Sequence, residues 1–413
     1  MYKVINMNLT DNITDYILNL DEPQSCLESV EQFKVLYQME SLKQWYTTDI
    51  AFDICNFILR HRPDLISLAI RVNVQVNLFL RSINKYATDP NKIFDKIGYK
   101  IGCFALTEEE AGVLSGLIVD TTFKEESDKI ILNSGLSSKN WISQGMSADY
   151  AVVYASSVED KNKVRMFLVD MNDASIQREK INSLHISRSL DLAKITFNET
   201  HINNDNMLSK SSLYSKINLL DGIFFGRYMI AEATVSALLG FINHIKRNIC
   251  KEQKIRTRFE KLGFLTYLYQ CEASYDTYRK HLTDSRNDTV FVKQDIFLIN
   301  CYKIYVVEQS IHIFNKLSMM FGMRAATWKL NFSNLLLHKV AEGDTYVLRL
   351  SLLNNLQKSG ISGVLTQPGF TWGDLFMIKF LLKSKKDIEK YIMNNFKEIS
   401  DRVIFNNIPL LIS

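Results

Sequence analysis

Proline and glycine are scarce in this sequence, with 5 prolines and 16 glycines among 413 residues. That scarcity disfavours long irregular loops and favours a mostly helical chain. An excess of one charge is also missing, since 49 Lys and Arg residues stand against 45 Asp and Glu residues, for a net charge of +4. This balance is too small and too evenly spread for a nucleic-acid-binding protein, so we expect no nucleic-acid partner.

Paired cysteines are absent too. The six cysteines lie far apart without a Cys-x-x-Cys pair, and the seven histidines show no ligand spacing. This pattern favours scattered reduced thiols over a disulfide framework or a zinc site, so we expect no metal. The chain also lacks the Gly-x-Ser-x-Gly, P-loop and His-Glu-x-x-His motifs, which argues against the enzyme classes that they mark.

Long apolar runs are missing as well. No window reaches eighteen uninterrupted apolar residues, so we expect no membrane span. The first residues, "MYKVINMNLTDNITDY", are polar and lack the apolar core of a signal peptide. With the reduced cysteines, this predicts a cytoplasmic protein.

Three regions of different pattern follow one another along the chain. Residues 1–100 carry helical periodicity, including "TDPNKIFDKI", a helix start with Thr88 or Asp89 as cap. Residues 101–210 hold short runs rich in Val, Ile, Thr, Tyr and Phe, typical of a small barrel or sandwich. Long apolar helical stripes return over 211–413. We therefore predict a helical domain, a β domain and a helical bundle.

Near the end of the chain, "VAEGDTYVL" (340–348) places Glu342, Gly343 and Asp344 in front of a helical apolar pattern. One interpretation is helix capping, because acidic residues at a helix start complement its dipole. The other is a catalytic base held on a loop by a rigid helix. The spacing alone favours capping.

Two earlier stretches also carry candidate chemistry. "GCFALTE" (102–108) can expose backbone N–H groups and the hydroxyl of Thr107, which suits a polar ring edge or a phosphate, or it is a plain strand entry. "NWIS" (140–143) places Trp141 between polar residues, either as a packing lid or as a platform for a flat cofactor. Neither stretch decides alone.

Taken in order, "GCFALTE", "WIS", "LVD", "LAKITFNETHINNDNML", "GRYMIAEA" and "EGDTYVL" resemble the acyl-CoA oxidase and acyl-CoA dehydrogenase flavoprotein family. The oxidase branch is the closer, because it favours glycine, cysteine and an aromatic residue ahead of Thr-Glu. The resemblance covers about 60–355 and implies a mainly α fold with a central β-barrel domain. In that family, FAD lies between the barrel and a four-helix bundle.

The resemblance also implies roles for individual residues. Glu342 would take the α proton of an acyl thioester, while the β hydrogen leaves as hydride to flavin N5. Residues expected at the substrate are Arg227 and Gly343. Residues expected at the cofactor are Phe104, Leu106, Thr107, Gly112, Trp141, Ile142, Ser143, Lys251, Arg324 and Asp344.

The sequence departs from the family pattern at the cofactor phosphates. After Thr-Glu only Gly112 remains of the usual glycines, and "FGMRAATW" (321–328) replaces a glycine-rich loop, leaving Arg324 as an anion contact. In the family a basic residue, normally arginine, reaches the FAD pyrophosphate of a neighbouring subunit. Here its nearest match is Lys251, with Arg256 and Arg258 as alternatives.

Two functions follow. The first is an FAD-dependent oxidoreductase for a CoA or carrier-protein thioester, working as a homo-oligomer (a dimer or tetramer). The alternative is a flavin-free or inactive paralogue that serves as a structural or binding subunit.

Overall fold

The structure is a computed structural model that divides into two compact units, Met1–Gly226 and Arg227–Ser413. It describes residues 9–47, 49–108, 119–126, 129–135, 137–181, 189–209, 211–251, 257, 293–324, 338–339, 345 and 348–349. The boundary between the units falls inside a long helix, so the predicted three-domain division stays a prediction.

The first region is helical, because apolar residues three and four apart form one buried stripe on each helix. The cap of the helix Pro90–Ile97 is Asp89, whose carboxylate accepts a hydrogen bond from the N–H of Lys92 at 3.2 Å, with Pro90 in the first turn. This confirms one of the two predicted caps. The helices are α1 (Asp11–Asn19), α2 (Cys26–Gln38), α3 (Leu42–Thr47), α4 (Ile50–His61), α5 (Ile66–Val72), α6 (Arg81–Tyr86) and α7 (Pro90–Ile97).

A π-helical segment, Asn73–Leu80, joins α5 to α6 without a break. Its buried Phe79 ring lies against the first strand at Gly102. A Cβ added at Gly102 would lie 2.1–2.3 Å from three atoms of that ring, so only glycine allows this approach. The glycine of "GCFALTE" thus has a packing role.

Ten strands are found among the described residues of the next region. They are β1 (Gly102–Ala105), β2 (Thr122–Glu126), β3 (Lys129–Asn133), β4 (Lys139–Ser143), β5 (Tyr150–Ser157), β6 (Val164–Asp170), β7 (Ile176–Lys180), β8 (Leu192–Phe197), β9 (Thr200–Asn203) and β10 (Met207–Ser209). These strands form two sheets. The larger has the order β10-β6-β5-β2-β3-β9, with β1 also paired to β5 in parallel. The smaller has the order β4-β8-β7.

The two sheets enclose one apolar core, which includes Phe123 and Phe167 from the larger sheet and Ile195 and Phe197 from the smaller. Within the described residues the strands do not close into a barrel, which corrects the barrel expectation in favour of the sandwich. Closure would need ladder hydrogen bonds between the sheets. One isolated antiparallel bridge pairs Glu108, which follows β1 of the larger sheet, with Lys139, the first residue of β4.

Two long helices are described after the strands, α8 (Ser212–Lys251) and α9 (Lys293–Phe321). Their buried apolar residues include Val235, Leu238 and Ile304. The stretch Phe225–Ile249 has the length and apolar composition to cross a membrane, but 89% of its most apolar window is buried inside the protein. A buried core helix meets the same criteria, so the stretch is weak evidence for a membrane span.

Candidate functional site

The structure brings two of the predicted cofactor segments side by side. The N–H of Asn140 donates to the carbonyl oxygen of Thr107 at 2.8 Å. On the other side of the predicted site residues, Nε2 of Gln144 donates to the carbonyl oxygen of Gly102 at 2.9 Å. These bonds align "GCFALTE" with "NWIS", although the segments are more than thirty residues apart in sequence.

A buried ion pair reinforces the same junction. Nζ of Lys139 lies 2.6 Å from Oε1 of Glu108, and their side chains are 0% and 1% exposed. The ammonium also donates to the carbonyl oxygens of Leu106 at 3.3 Å and Tyr154 at 2.8 Å. A lysine ammonium has three donors, and here each has an acceptor.

The carboxylate of Glu108 is equally well supplied with donors. Its oxygens accept from the N–H of Asp120 at 2.6 Å, and from the N–H and hydroxyl of Thr121 at 2.9 and 2.7 Å. Burial raises the pKa of Glu108, but the Lys139 charge and these hydrogen bonds outweigh it and hold the pKa below its usual value.

Burial lowers the pKa of Lys139, and the Glu108 carboxylate opposes that effect. A neutral amine would leave one of its three acceptors without a donor, so we take the pair as ionised.

Trp141 lies at a strained point of β4. Its φ is 55°, in the left-handed region that residues with bulky side chains rarely adopt. Its backbone N–H donates to Oδ1 of Asn140 at 3.0 Å. The ladder between β4 and β8 shifts register here, between Lys139 and Ile142. The bulge leaves the indole 54% exposed while both of its sequence neighbours are buried. This cost in backbone strain holds a flat aromatic side chain in solvent.

The other predicted residues of this unit vary in exposure. Thr107 is exposed, Leu106 and Ser143 are half-buried, and Ile142 is buried. The half-buried ring of Phe104 packs edge-on against Tyr154, with ring centres 5.5 Å apart. Two hydroxyls and an exposed indole therefore come from adjoining segments. Such a set fits a planar ring with polar edges, as in a flavin.

In the second unit, Arg227 is buried and its guanidinium donates to Oδ1 of Asn300 at 2.8 Å. Lys251 is exposed at the end of α8, and Arg324 is exposed just beyond α9. The remaining predicted residues, Gly112, Glu342, Gly343 and Asp344, lie outside the described residues. Every site assignment therefore stays a prediction.

Glu108 and Lys139 are the residues that sequence reasoning missed. In a regular strand Lys139 and Trp141 would lie on one face, because side chains alternate with a period of two. The bulge instead buries the lysine and exposes the tryptophan. No signal in "SSKNWIS" marks the left-handed residue. Over the described parts of the chain, no group of three His, Cys, Asp or Glu residues is arranged to hold a metal.

Comparison with known proteins gives this site its context. Residues 103–200 match the family described as acyl-CoA dehydrogenase, middle domain. The short-chain specific acyl-CoA dehydrogenase of Rattus norvegicus mitochondria is 31% identical over 173 residues, which is 40% of each chain. That of Mus musculus is 33% identical over 137 residues, which is 33% of this chain and 32% of the relative. The match thus spans about two fifths or less of these relatives.

Solved structures extend the likeness to most of the chain. Acyl-CoA oxidase1 from Yarrowia lipolytica is similar with a TM-score of 0.68 at 16% identity, over 97% of this chain and 73% of that one. A glutaryl-CoA dehydrogenase from Mycobacterium smegmatis, in complex with FADH2, is similar with a TM-score of 0.65 at 17% identity, over 84% and 95%. These likenesses show the acyl-CoA dehydrogenase fold. Together with the middle-domain match, they confirm the resemblance to the acyl-CoA dehydrogenase and oxidase family.

Proposed function

We propose that this protein is an FAD-dependent oxidoreductase that removes the α and β hydrogens of an acyl thioester. Support comes from the middle-domain match, from the acyl-CoA dehydrogenases among its relatives, and from a similar structure that carries FADH2. The proposal extends to the whole chain a likeness that covers two fifths of the curated relatives.

The observation that carries the proposal is the paired arrangement of the two cofactor segments. The N–H of Asn140, the residue before Trp141, donates to the carbonyl oxygen of Thr107, so the hydroxyl of Thr107 and the exposed indole belong to two joined segments. Trp141 would cover the ring of the cofactor, and the hydroxyls of Thr107 and Ser143 would bond its polar edge. Lys251 and Arg324 would contact, as cations, the phosphates of the FAD bound by a neighbouring subunit.

The proton chemistry would fall to Glu342. The α proton of a thioester is weakly acidic, so its base must sit in a dry pocket that raises its pKa. FAD, when bound, supplies the acceptor for the β hydrogen. Gly343 would let the backbone approach the thioester, and Arg227 would serve the substrate from α8.

The finer features belong to the same proposal. The substrate would be an acyl group on CoA or on a carrier protein, the protein would work in the cytoplasm, and it would assemble as a homo-oligomer. Met319, Met320 and Met323 support assembly, because they are 82%, 48% and 83% exposed at the end of α9 and just beyond it.

A spectrum and one substitution test the function. We expect the purified protein to be yellow, and Glu342→Gln to keep the flavin yet lose its reduction by acyl-CoA in single turnover. Gln is nearly isosteric with Glu but cannot accept the proton, so the rate should fall about 10²- to 10⁴-fold.

Glu159→Gln, the same change at an exposed turn residue, is the matched control and should reduce its flavin at the parent rate. A colourless protein that takes up no added FAD would sink the proposal in favour of a flavin-free subunit. If Glu342→Gln reduces its flavin as fast as the control does, the base is a residue other than Glu342.

A further inference from the structure

We infer that the buried Glu108–Lys139 ion pair positions the two predicted cofactor segments, "GCFALTE" and "NWIS", relative to each other. These two segments together are called the cofactor face. The inference rests on the proposed function and deepens it, because neither side chain is among the residues expected to touch the cofactor. Both are buried, so they would act through the backbone that they bind.

Lys139 holds the first segment through its backbone. Nζ donates to the carbonyl oxygen of Leu106 at 3.3 Å, next to the exposed Thr107. Nζ also donates at 2.8 Å to the carbonyl oxygen of Tyr154 in β5, whose ring packs against Phe104. The ammonium of Lys139 therefore joins the backbone of "FALT" to β5 of the larger sheet. Lys139 itself is the first residue of β4 in the smaller sheet.

Glu108 holds the other side of the junction. Its carboxylate accepts the N–H groups of Asp120 and Thr121 at 2.6 and 2.9 Å, so it is joined to the segment that leads into β2. The same carboxylate contacts Lys139 two residues before Trp141.

Stability of the fold would not by itself require a buried ion pair at this place. A buried ion pair is often replaced by apolar residues of similar volume without loss of stability, because desolvation offsets the attraction. What an apolar pair lacks is directed hydrogen bonding to particular carbonyl and N–H groups. A positioning role therefore predicts that its replacement leaves folding nearly intact and weakens the cofactor face.

The test uses the double variant Glu108→Gln/Lys139→Met in the full chain. FAD affinity is measured by titrating apoprotein and following flavin fluorescence, with the visible spectrum and melting temperature recorded alongside. We expect FAD to bind at least about 10-fold more weakly, with a changed flavin spectrum, while the melting temperature stays within a few degrees of the parent. A purely structural role would move the melting temperature and leave the affinity of the folded protein unchanged.

The matched control is Glu125→Gln/Lys163→Met, the same substitutions at an exposed pair 3.3 Å apart in the β region. It should bind FAD as the parent does. If the first double variant fails to fold, Thr121→Val replaces it, since it removes one hydrogen bond to Glu108 and keeps the volume. That variant should bind FAD about 3-fold more weakly.

A folded double variant, or a folded Thr121→Val in its place, with the affinity and spectrum of the parent would overturn the inference and leave the proposed function standing. A parent that takes up no FAD would overturn the proposed function instead. In that case hydrogen exchange at the Asn140 amide decides the positioning role. We expect exchange at least about 10-fold faster in the double variant, and unchanged exchange would refute the role.

Discussion

The β region, residues 102–209, and the helices of the second unit both bury polar groups, but they satisfy them differently. In the β region the burial is ionic, with Lys139 and Glu108 in direct contact. The second unit mixes the two kinds: the buried Arg349 pairs with Glu308, whose side chain is 34% exposed, and two other buried side chains contact neutral groups. Arg227 donates to Asn300, and Thr234 Oγ1 lies 2.8 Å from Nδ1 of the buried His338.

The two arrangements respond differently to pH. The pKa of Glu108 lies below its usual value, so the stability it contributes is present above about pH 4.3 and is lost as pH falls through its folded pKa. Burial, and then the charge of Lys303, lowers the pKa of His338 to about 4. The folded protein holds His338 in its neutral form, so its free energy of unfolding begins to fall below about pH 6.5. The contribution of Glu108 is lost only below about pH 4.3. We infer that the helical unit is the more sensitive to mild acid.

The largest expected effect is breaking the β-region pair on one side only. Lys139→Met leaves the Glu108 carboxylate buried without its counter-ion, which should cost about 3–5 kcal/mol of the free energy of unfolding. Urea unfolding followed by circular dichroism measures it. Lys163→Met should cost less than about 1 kcal/mol, because that pair is exposed. Equal losses for the two variants would erase the contrast between buried and exposed charge.

A second prediction concerns acid and the helical unit. Unfolded histidine has a pKa of about 6.5, so lowering the pH from about 6.5 to 4 should cost the protein about 3 kcal/mol through His338 alone. Below pH 4 this contribution stops changing. His338→Gln should remove that part of the acid sensitivity in a pH series of unfolding curves. His201→Gln, at an exposed position, should keep the acid sensitivity of the parent. If both variants lose stability in acid as the parent does, a group other than His338 is responsible.

The smallest expected effect separates strain from regular structure. Trp141→Asn should stabilise the protein by about 1 kcal/mol, because Asn tolerates a left-handed φ far better than Trp does. In α9 the exposed Met319 lies on a regular helix, so Met319→Asn should destabilise by a few tenths of a kcal/mol. Melting temperatures of both variants check the opposite signs. A Trp141→Asn variant that melts below the parent would mean that the indole packs in a way its exposure hides.

Much of the architecture was predictable from local patterns. Apolar spacing and β-branched runs indicate helices, then strands, then helices, and the described elements follow that order. "GCFALTE" and "NWIS" were identified as candidate cofactor segments, and the hydrogen bond from Asn140 to Thr107 brings them together. Strand composition left a barrel and a sandwich open, because it does not specify which sheet edges pair, and the barrel was an implication of the family resemblance.

The sequence by itself determined the order of helices and strands and the family resemblance, since both depend on neighbouring residues and ordered motifs. Only the tertiary structure decided that Lys139 is buried, because its partner Glu108 lies 31 residues away and a lysine is otherwise expected in solvent. It also decided the need for glycine at position 102, which comes from the Phe79 ring of a preceding helix. The left-handed backbone of Trp141 has the same origin: a local preference was overruled by contacts between segments that are distant along the chain.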